Sequence, residues 1–575
     1  MVDAAVSYAE PGIVTILAQS SFFLLSNVIN SVLDHVLYCG LVGQVLLGMA
    51  WGTPGAKLLS ESFEDIATQL GYLGLIAIVF EGGLSTSISS VQKTLWLSIG
   101  VAITGILLPI AFSFSLLRLV NSTKLEAFAA GAALCSTSLG TTFSLLKSTG
   151  LTTSRLGTVL TTAAMLDDVV GLVMVQVIAN LGSGDSAIHA SNILRPILVS
   201  AGFAIVVPVF CKFVLKPIMV RPALGKVRTS KLLERVVNAS TLSFLLSTTL
   251  LVGLVSAASY AGTSTLFAAY LAGAAISWVD EMAATLPAQK QFSQPHPNLK
   301  SSSHEPAPLA GSDSSAVDRS ALPHGPGTTV ANEYEDLAVD PVDSSRLPTP
   351  PPEKVTDAEE HAAPTTSVDV SNSTEPERSS ICMYSRYYAP AVEHILKPLF
   401  FASIGFSIPI SRMFRASIVW RGLIYAILMC VGKVCCGFWL VRFSPQMGTP
   451  STKNKDKTKS TRQKSWPRPK SLYPAAILGC AMVARGEIGF LISAVAATNG
   501  IFSTANSRDD KEDSTEGASS TSDIYLIVTW AILLCTIIGP VSLGFLAKRA
   551  KRLQSERAQT REGAAEDPFG IWGVG

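Results

Sequence analysis

Long apolar runs separated by short polar intervals make up most of this chain. A helix crosses the hydrocarbon core of a bilayer with about 20 mainly apolar residues. Roughly thirteen segments meet that requirement: 12–33, 36–52, 66–84, 95–118, 125–147, 156–181, 194–219, 233–257, 260–279, 391–410, 417–441, 472–498 and 524–546. They are called spans one to thirteen below. Spans one and two are divided by little more than Asp34 and His35. The pattern predicts an all-α integral membrane protein embedded in a lipid bilayer. The first apolar run lacks a basic leader and a small-residue cleavage site, so it is expected to stay as a span.

Composition agrees with the pattern. Only 15% of residues are charged, against about 25% in soluble domains, and mean hydropathy is +0.39. The net charge of +2 sums loops of opposite bias. Basic clusters sit in loops with no nucleic-acid reader motif, which argues against a nucleic-acid partner. Of nine cysteines, all but Cys382 lie in apolar runs, and none forms a CxxC pair. They read as small buried hydrophobes. No nucleophile–base pair or metal-ligand spacing stands out, so neither an enzyme nor a cofactor is expected.

The polar segments orient the spans. Lys216, Arg221, Lys226, Arg228 and Lys231 follow span seven, a Lys-rich loop (443–471) follows span eleven, and Lys548, Arg549, Lys551 and Arg552 follow span thirteen. With thirteen spans all three fall on one side, expected to be cytosolic. The acidic RDDKEDSTEG after span twelve falls opposite. The N-terminus is then outside or luminal and the C-terminus cytosolic, in the plasma membrane or an endomembrane. Residues 280–389 are rich in Ser, Pro, Thr, Asp and Glu and are expected to form a disordered cytosolic loop. It divides an N-terminal membrane part (1–279) from a C-terminal one (390–546), with a short tail over 547–575.

The candidate chemistry lies in charges placed where hydrocarbon disfavours them. An ionisable side chain at mid-membrane costs about 2.5–3.5 kcal/mol on insertion scales and defaults to a functional role. Span six carries Asp167 and Asp168 at its middle. Successive helix residues point about 100° apart, so one carboxylate can face a cavity and the other a partner helix. A carboxylate in low dielectric holds a proton or a monovalent cation, not both, which is the minimal chemistry of an exchanger. The bland alternative is one Asp bonded to backbone and the other salt-bridged. Span eleven carries Lys433, too deep for easy snorkelling, with Asp167 or Asp168 as counter-charge. Span twelve has Arg485 and Glu487 between Gly486 and Gly489, which suggests a broken helix. Span five has Ser136, Thr137, Ser138, Thr141 and Thr142 around Gly140, where hydroxyls and unwound carbonyls can coordinate a small cation. Small polar residues also serve helix packing. Paired interruptions in two halves of a transporter point to the site of an inverted-repeat fold.

LDDVVGLV, the upstream STSLG, PLFFASIGFSI, the VGK at Lys433 and ARGEIGFL together resemble the sodium/proton exchanger superfamily. They are most similar to its Asp-Asp branch of monovalent cation/proton antiporters, which has fungal members. The resemblance covers nearly all the membrane part. It implies a core domain moving against a dimerising domain, with inverted repeats and two broken helices crossing at the midplane, in a homodimer. It implies that Asp168 carries the transported cation (Na⁺, Li⁺ or K⁺) and the proton. It also implies that Asp167 pairs with Lys433, that Thr137, beside Ser136, lies next to the ion, and that Arg485 and Glu487 brace the second broken helix. Members with Asp-Asp and Lys are electrogenic, which is the expectation here. Span three departs from the pattern: Ser85 and Ser87 stand where the branch has an acidic residue, and the earlier Glu81 is given no site role. The alternatives are a channel-like potassium efflux pathway, which lacks a recognisable filter, and a non-transporting membrane sensor or scaffold that recruits partners through the long loop.

Overall fold

The computed structural model describes residues 10–152, 154–182, 190–215, 239–292, 380–441, 471–503 and 523–559, with residues 569, 572 and 573. Among them nine helices are long and apolar enough to cross a membrane, and Gly40–Trp51 is a shorter apolar helix. The elements run Ile13–Leu37, Gly40–Trp51, Glu61–Leu84, Ile88–Ser113, Lys124–Ala133 with Leu139–Ser148, Arg155–Gly182, Ala190–Phe210, Ala239–Ala261 and Thr265–Phe292. After the long segment come Ser380–Tyr387, Lys397–Phe406, Ala416–Val434, Tyr473–Val483 with Glu487–Thr498, and Asp523–Gln559.

Local chemistry sets several of these ends. Ser60 opens span three by accepting from the Phe63 amide at 3.3 Å. Thr123 and Glu126 form a reciprocal capping box at the start of span five, in which two otherwise orphaned amides find oxygens. Asp34 and His35 lie inside the first helix, not between helices. The turn falls at Tyr38, in a left-handed conformation, and Cys39. The Asp34 carboxylate accepts from the Gly40 amide at 3.2 Å and so caps the helix that follows.

Both ends of the 280–389 segment, expected to be disordered, are helical: helices cover Thr265–Phe292 and Ser380–Tyr387, and the Ser380 amide donates to Asp280 at 2.8 Å. Residues 293–379, the Lys-rich loop at 442–470, the basic loop at 216–238 and the acidic loop at 504–522 lie outside the described residues. The last helix also runs past 546, to Gln559. Beyond it Phe569 and Trp572 are buried in the cluster formed by Leu145, Leu156 and Leu543, with Arg155 stacked over the Trp572 ring at 5.7 Å. The tail thus carries an aromatic anchor that its polar composition conceals.

Side-chain size decides how closely the spans approach. Spans three and nine cross where Gly83 lies against the Tyr270 carbonyl and Gly273 against the Phe80 carbonyl. Spans seven and eight keep most of their apolar side chains on the outside, whereas span twelve is almost wholly enclosed. An exposed apolar face meets acyl chains at no cost, so only the inner spans need polar partners. A Cβ at Gly83 would stand 2.9 Å from the Ala274 nitrogen as well as against the Tyr270 carbonyl. Gly83→Val is therefore expected to destabilise the protein by about 1–3 kcal/mol through overpacking. Gly82→Ala, whose Cβ meets nothing within 4 Å, is expected to be neutral or better. Thermal unfolding of both variants in detergent checks the contrast.

Candidate ion-binding site

Two interrupted helices create the site. Span five stops at Ala133 and restarts at Leu139; span twelve stops at Val483 and restarts at Glu487. In a bilayer the backbone groups freed by such breaks must find partners within the protein. They find each other. The Ser138 amide donates to the Ala484 carbonyl at 2.9 Å, and the fully buried Arg485 donates through Nη1 to the Ser136 carbonyl at 2.6 Å. The Thr536 hydroxyl of span thirteen lies 3.2 Å from the Arg485 carbonyl and shares its proton with the closer Ile532 carbonyl at 2.7 Å. A Cβ at Gly486 would come within 2.9 Å of the Ser138 side chain, so the crossing requires glycine there. The break in span five falls one turn before Gly140, which sits exposed inside the second half-helix. The Ser-Thr-Ser stretch and its cross-helix partners open this helix, not a flexible glycine.

The charges complement the half-helix ends. Carbonyl ends carry partial negative charge and amide ends partial positive charge. Arg485 faces the carbonyl end of the first half of span five, at Cys135 and Ser136. Glu487 is the first residue of the second half of span twelve, where a carboxylate is favoured.

Span six passes beside the crossing with both aspartates buried. Asp167 is fully buried and forms an ion pair with the equally buried Lys433 Nζ through Oδ2. Thr137 closes the group: it donates to Asp167 Oδ2 at 2.6 Å and accepts from Lys433 at 3.0 Å. The recorded hydroxyl partners of Thr137 are thus Asp167, Lys433 and the Met482 carbonyl. Ser136 is buried against Gly171 of span six. Asp168 is 8% exposed, and its Oδ1 has no hydrogen-bond partner. Asp167, Glu487 and Lys433 all act on it electrostatically. Of the seven residues singled out from sequence, the structure therefore brings Asp167, Lys433 and Thr137 into direct contact, joins Arg485 to the Ser136 backbone, and sets Glu487 near Asp168. Glu81 is half-buried near the C-terminal end of span three.

Each aspartate thus keeps one buried oxygen without a hydrogen-bond partner, but only Asp167 is neutralised by the buried ammonium. Removing one partner of a buried pair leaves a bare charge and costs about 3–5 kcal/mol, whereas replacing both with apolar groups is often neutral. Lys433→Ala is expected to lower thermal stability by that amount, and Asp167→Leu combined with Lys433→Met to restore most of it. A double-mutant cycle from unfolding in detergent measures the coupling.

The family profile for the sodium/hydrogen exchanger transmembrane region matches residues 31–294 and 370–549. The high-affinity Na⁺/H⁺ antiporter NhaS3 of Synechocystis is 29% identical over 167 residues, which is 29% of this chain and 36% of that protein. The Na⁺/H⁺-K⁺ antiporter GerN of Bacillus cereus is 26% identical over 133 residues, 23% of this chain and 34% of that one. These alignments span about a third of each relative's length. The structure of the sodium proton antiporter MjNhaP1 from Methanocaldococcus jannaschii superposes with a TM-score of 0.51 at 13% identity, covering 93% of this chain and 99% of that one. The fold is therefore shared far beyond the reach of sequence identity, and with more than half of its length matched by the profile, the chain belongs to the sodium/hydrogen exchanger transmembrane family.

Proposed function

We propose that this chain is a secondary active antiporter exchanging a monovalent cation, Na⁺ or K⁺, for protons, with Asp168 as the exchange site. The observation that carries this is the division of labour between the adjacent aspartates. Asp167 is neutralised by Lys433 and bonded by Thr137 through Oδ2, whereas Asp168, also with an unpartnered Oδ1, is not the carboxylate that pairs with the ammonium in the nearly closed site beside the broken helices. A lone buried carboxylate is unstable as a bare anion. It takes up a proton or a small cation, and the two exclude each other. The relatives named as Na⁺/H⁺ antiporters, one of them also for K⁺, support this substrate class.

Lys433 gives the site its second state. When Asp168 holds a cation, the Lys433–Asp167 pair is stable as seen. A proton arriving at Asp167 would release Lys433 and allow more protons than cations to cross per cycle, which makes exchange electrogenic. The crossing, held by Arg485 and the Ser138–Ala484 bond, would carry the site as one piece, with alternation against a dimerising scaffold. The basic loops support a cytosolic C-terminus.

The test is cation-driven proton flux in sealed proteoliposomes with an internal pH dye, as Na⁺, Li⁺ or K⁺ is added. Wild type is expected to respond and to rank the cations, and Asp168→Asn to give no flux. Exchange that survives Asp168→Asn would remove Asp168 from the mechanism. Imposing a membrane potential on the same vesicles tests electrogenicity: an electroneutral exchanger would not change its rate.

A further inference from the structure

Span four carries a proline inside its helix, Pro109. Proline has no N–H to donate, and its ring pushes aside the carbonyl four residues earlier. In span four that carbonyl belongs to Gly105. Within a bilayer, a carbonyl that loses its helical donor turns to a neighbouring helix.

The neighbour at this point is the buried ion pair. A Cβ at Gly105 would stand 3.2 Å from Lys433 Nζ, 3.2 Å from Cys436 Sγ and 3.4 Å from Met482 Cε. Span four therefore lays backbone against the ammonium, where a side chain would crowd it. One turn further along span four, a Cβ at Gly432 would stand 3.5 Å from the Pro109 nitrogen. Glycines on both spans thus bring the proline turn against the lysine. An ammonium has three N–H donors. The recorded partners of Lys433 are Asp167 Oδ2 and Thr137 Oγ1, which leaves a third donor. The Thr104 hydroxyl, beside Gly105 in sequence, is already committed: it donates to the Gly100 carbonyl at 2.8 Å and accepts from the Trp439 indole at 2.9 Å. The Cys436 thiol also faces Gly105, but a thiol is a weak donor beside an ammonium.

We infer that Gly105 is a positioning residue for Lys433: its carbonyl, opened by Pro109, takes the third N–H of the buried ammonium, through one water or after a small rotation of the lysine side chain. Asp167 supplies the counter-charge, Thr137 a hydroxyl and Gly105 a backbone dipole, so the ammonium is held from spans four, five and six. The contact also has a use in exchange, and that part rests on the antiporter function proposed above. When Lys433 leaves Asp167, the Gly105 carbonyl keeps the ammonium from being stranded without a partner, a costly state in a low-dielectric interior.

Pro109→Ala returns an N–H to position 109 and ties the Gly105 carbonyl back into the helix. Thermal unfolding in detergent compares this substitution in wild type and in the Asp167→Leu, Lys433→Met background, where no ammonium is present. The restored helical bond is expected to raise the unfolding temperature of the apolar background, and to raise that of wild type less or to lower it. Equal shifts in the two backgrounds would overturn the inference. So would a difference that Cys436→Ala alone abolishes, which assigns the carbonyl to the thiol. In proteoliposomes Pro109→Ala is expected to lower the maximal exchange rate about tenfold, the size of one hydrogen bond to a charged group, with KM for the cation unchanged because Asp168 is untouched. If the apolar background does not fold, this measurement decides: a maximal rate equal to wild type would overturn the inference, as would a loss of rate with a raised KM, which marks general damage to the site. A wild type without cation-driven flux, but with the difference between backgrounds intact, would remove the antiporter function and leave the contact standing.

Discussion

A backbone broken in the middle of a membrane protein must be repaired by another part of the same chain, and everything at this site depends on that constraint. The two interrupted helices satisfy it mutually. Ser138 donates to Ala484, and Arg485 donates back to Ser136. Because the two breaks complete each other, neither is stable alone. The reciprocal bonds fix the crossing point, the crossing point sets which half-helix ends face each other, and those ends determine where a guanidinium and a carboxylate are tolerated. Gly486 is needed because the helices touch there, and Thr536 ties the break to span thirteen.

The charges follow from this frame. Lys433 and Asp167 are fully buried, an arrangement that holds only when each ion has the other and further hydrogen bonds besides. Thr137 supplies one such bond to each, and it can do so only because span five is unwound at that residue. Asp168 belongs to the same helix turn but is not the carboxylate that pairs with the ammonium. Adjacent residues on one helix thereby acquire different chemistry, one a structural ion and the other an open acceptor. That asymmetry fits a site whose occupant must change.

Spans three and nine contribute through small residues. Glycines at their crossing bring the Tyr270 and Thr86 hydroxyls together.

The membrane class, the approximate positions of the spans and the residues with anomalous charge were all determined by the sequence, because hydrocarbon imposes a strong and local rule: about 20 apolar residues per span and few charges within them. The Asp167–Asp168 pair, Lys433 and the Arg485–Glu487 break stood out for that reason. The Gly83–Gly273 contact left no such mark, since small residues are common in spans, and Tyr270 read as one more aromatic residue in an apolar run. The exact opening of span five, at Ser136–Ser138 and not at Gly140, and the burial of Phe569 and Trp572 were likewise decided by tertiary structure. So was which aspartate meets Lys433. Hydropathy and residue spacing report what a segment can tolerate on its own, whereas these features depend on hydrogen bonds and packing between residues hundreds of positions apart, such as Thr137 with Met482 and Lys433 with Asp167.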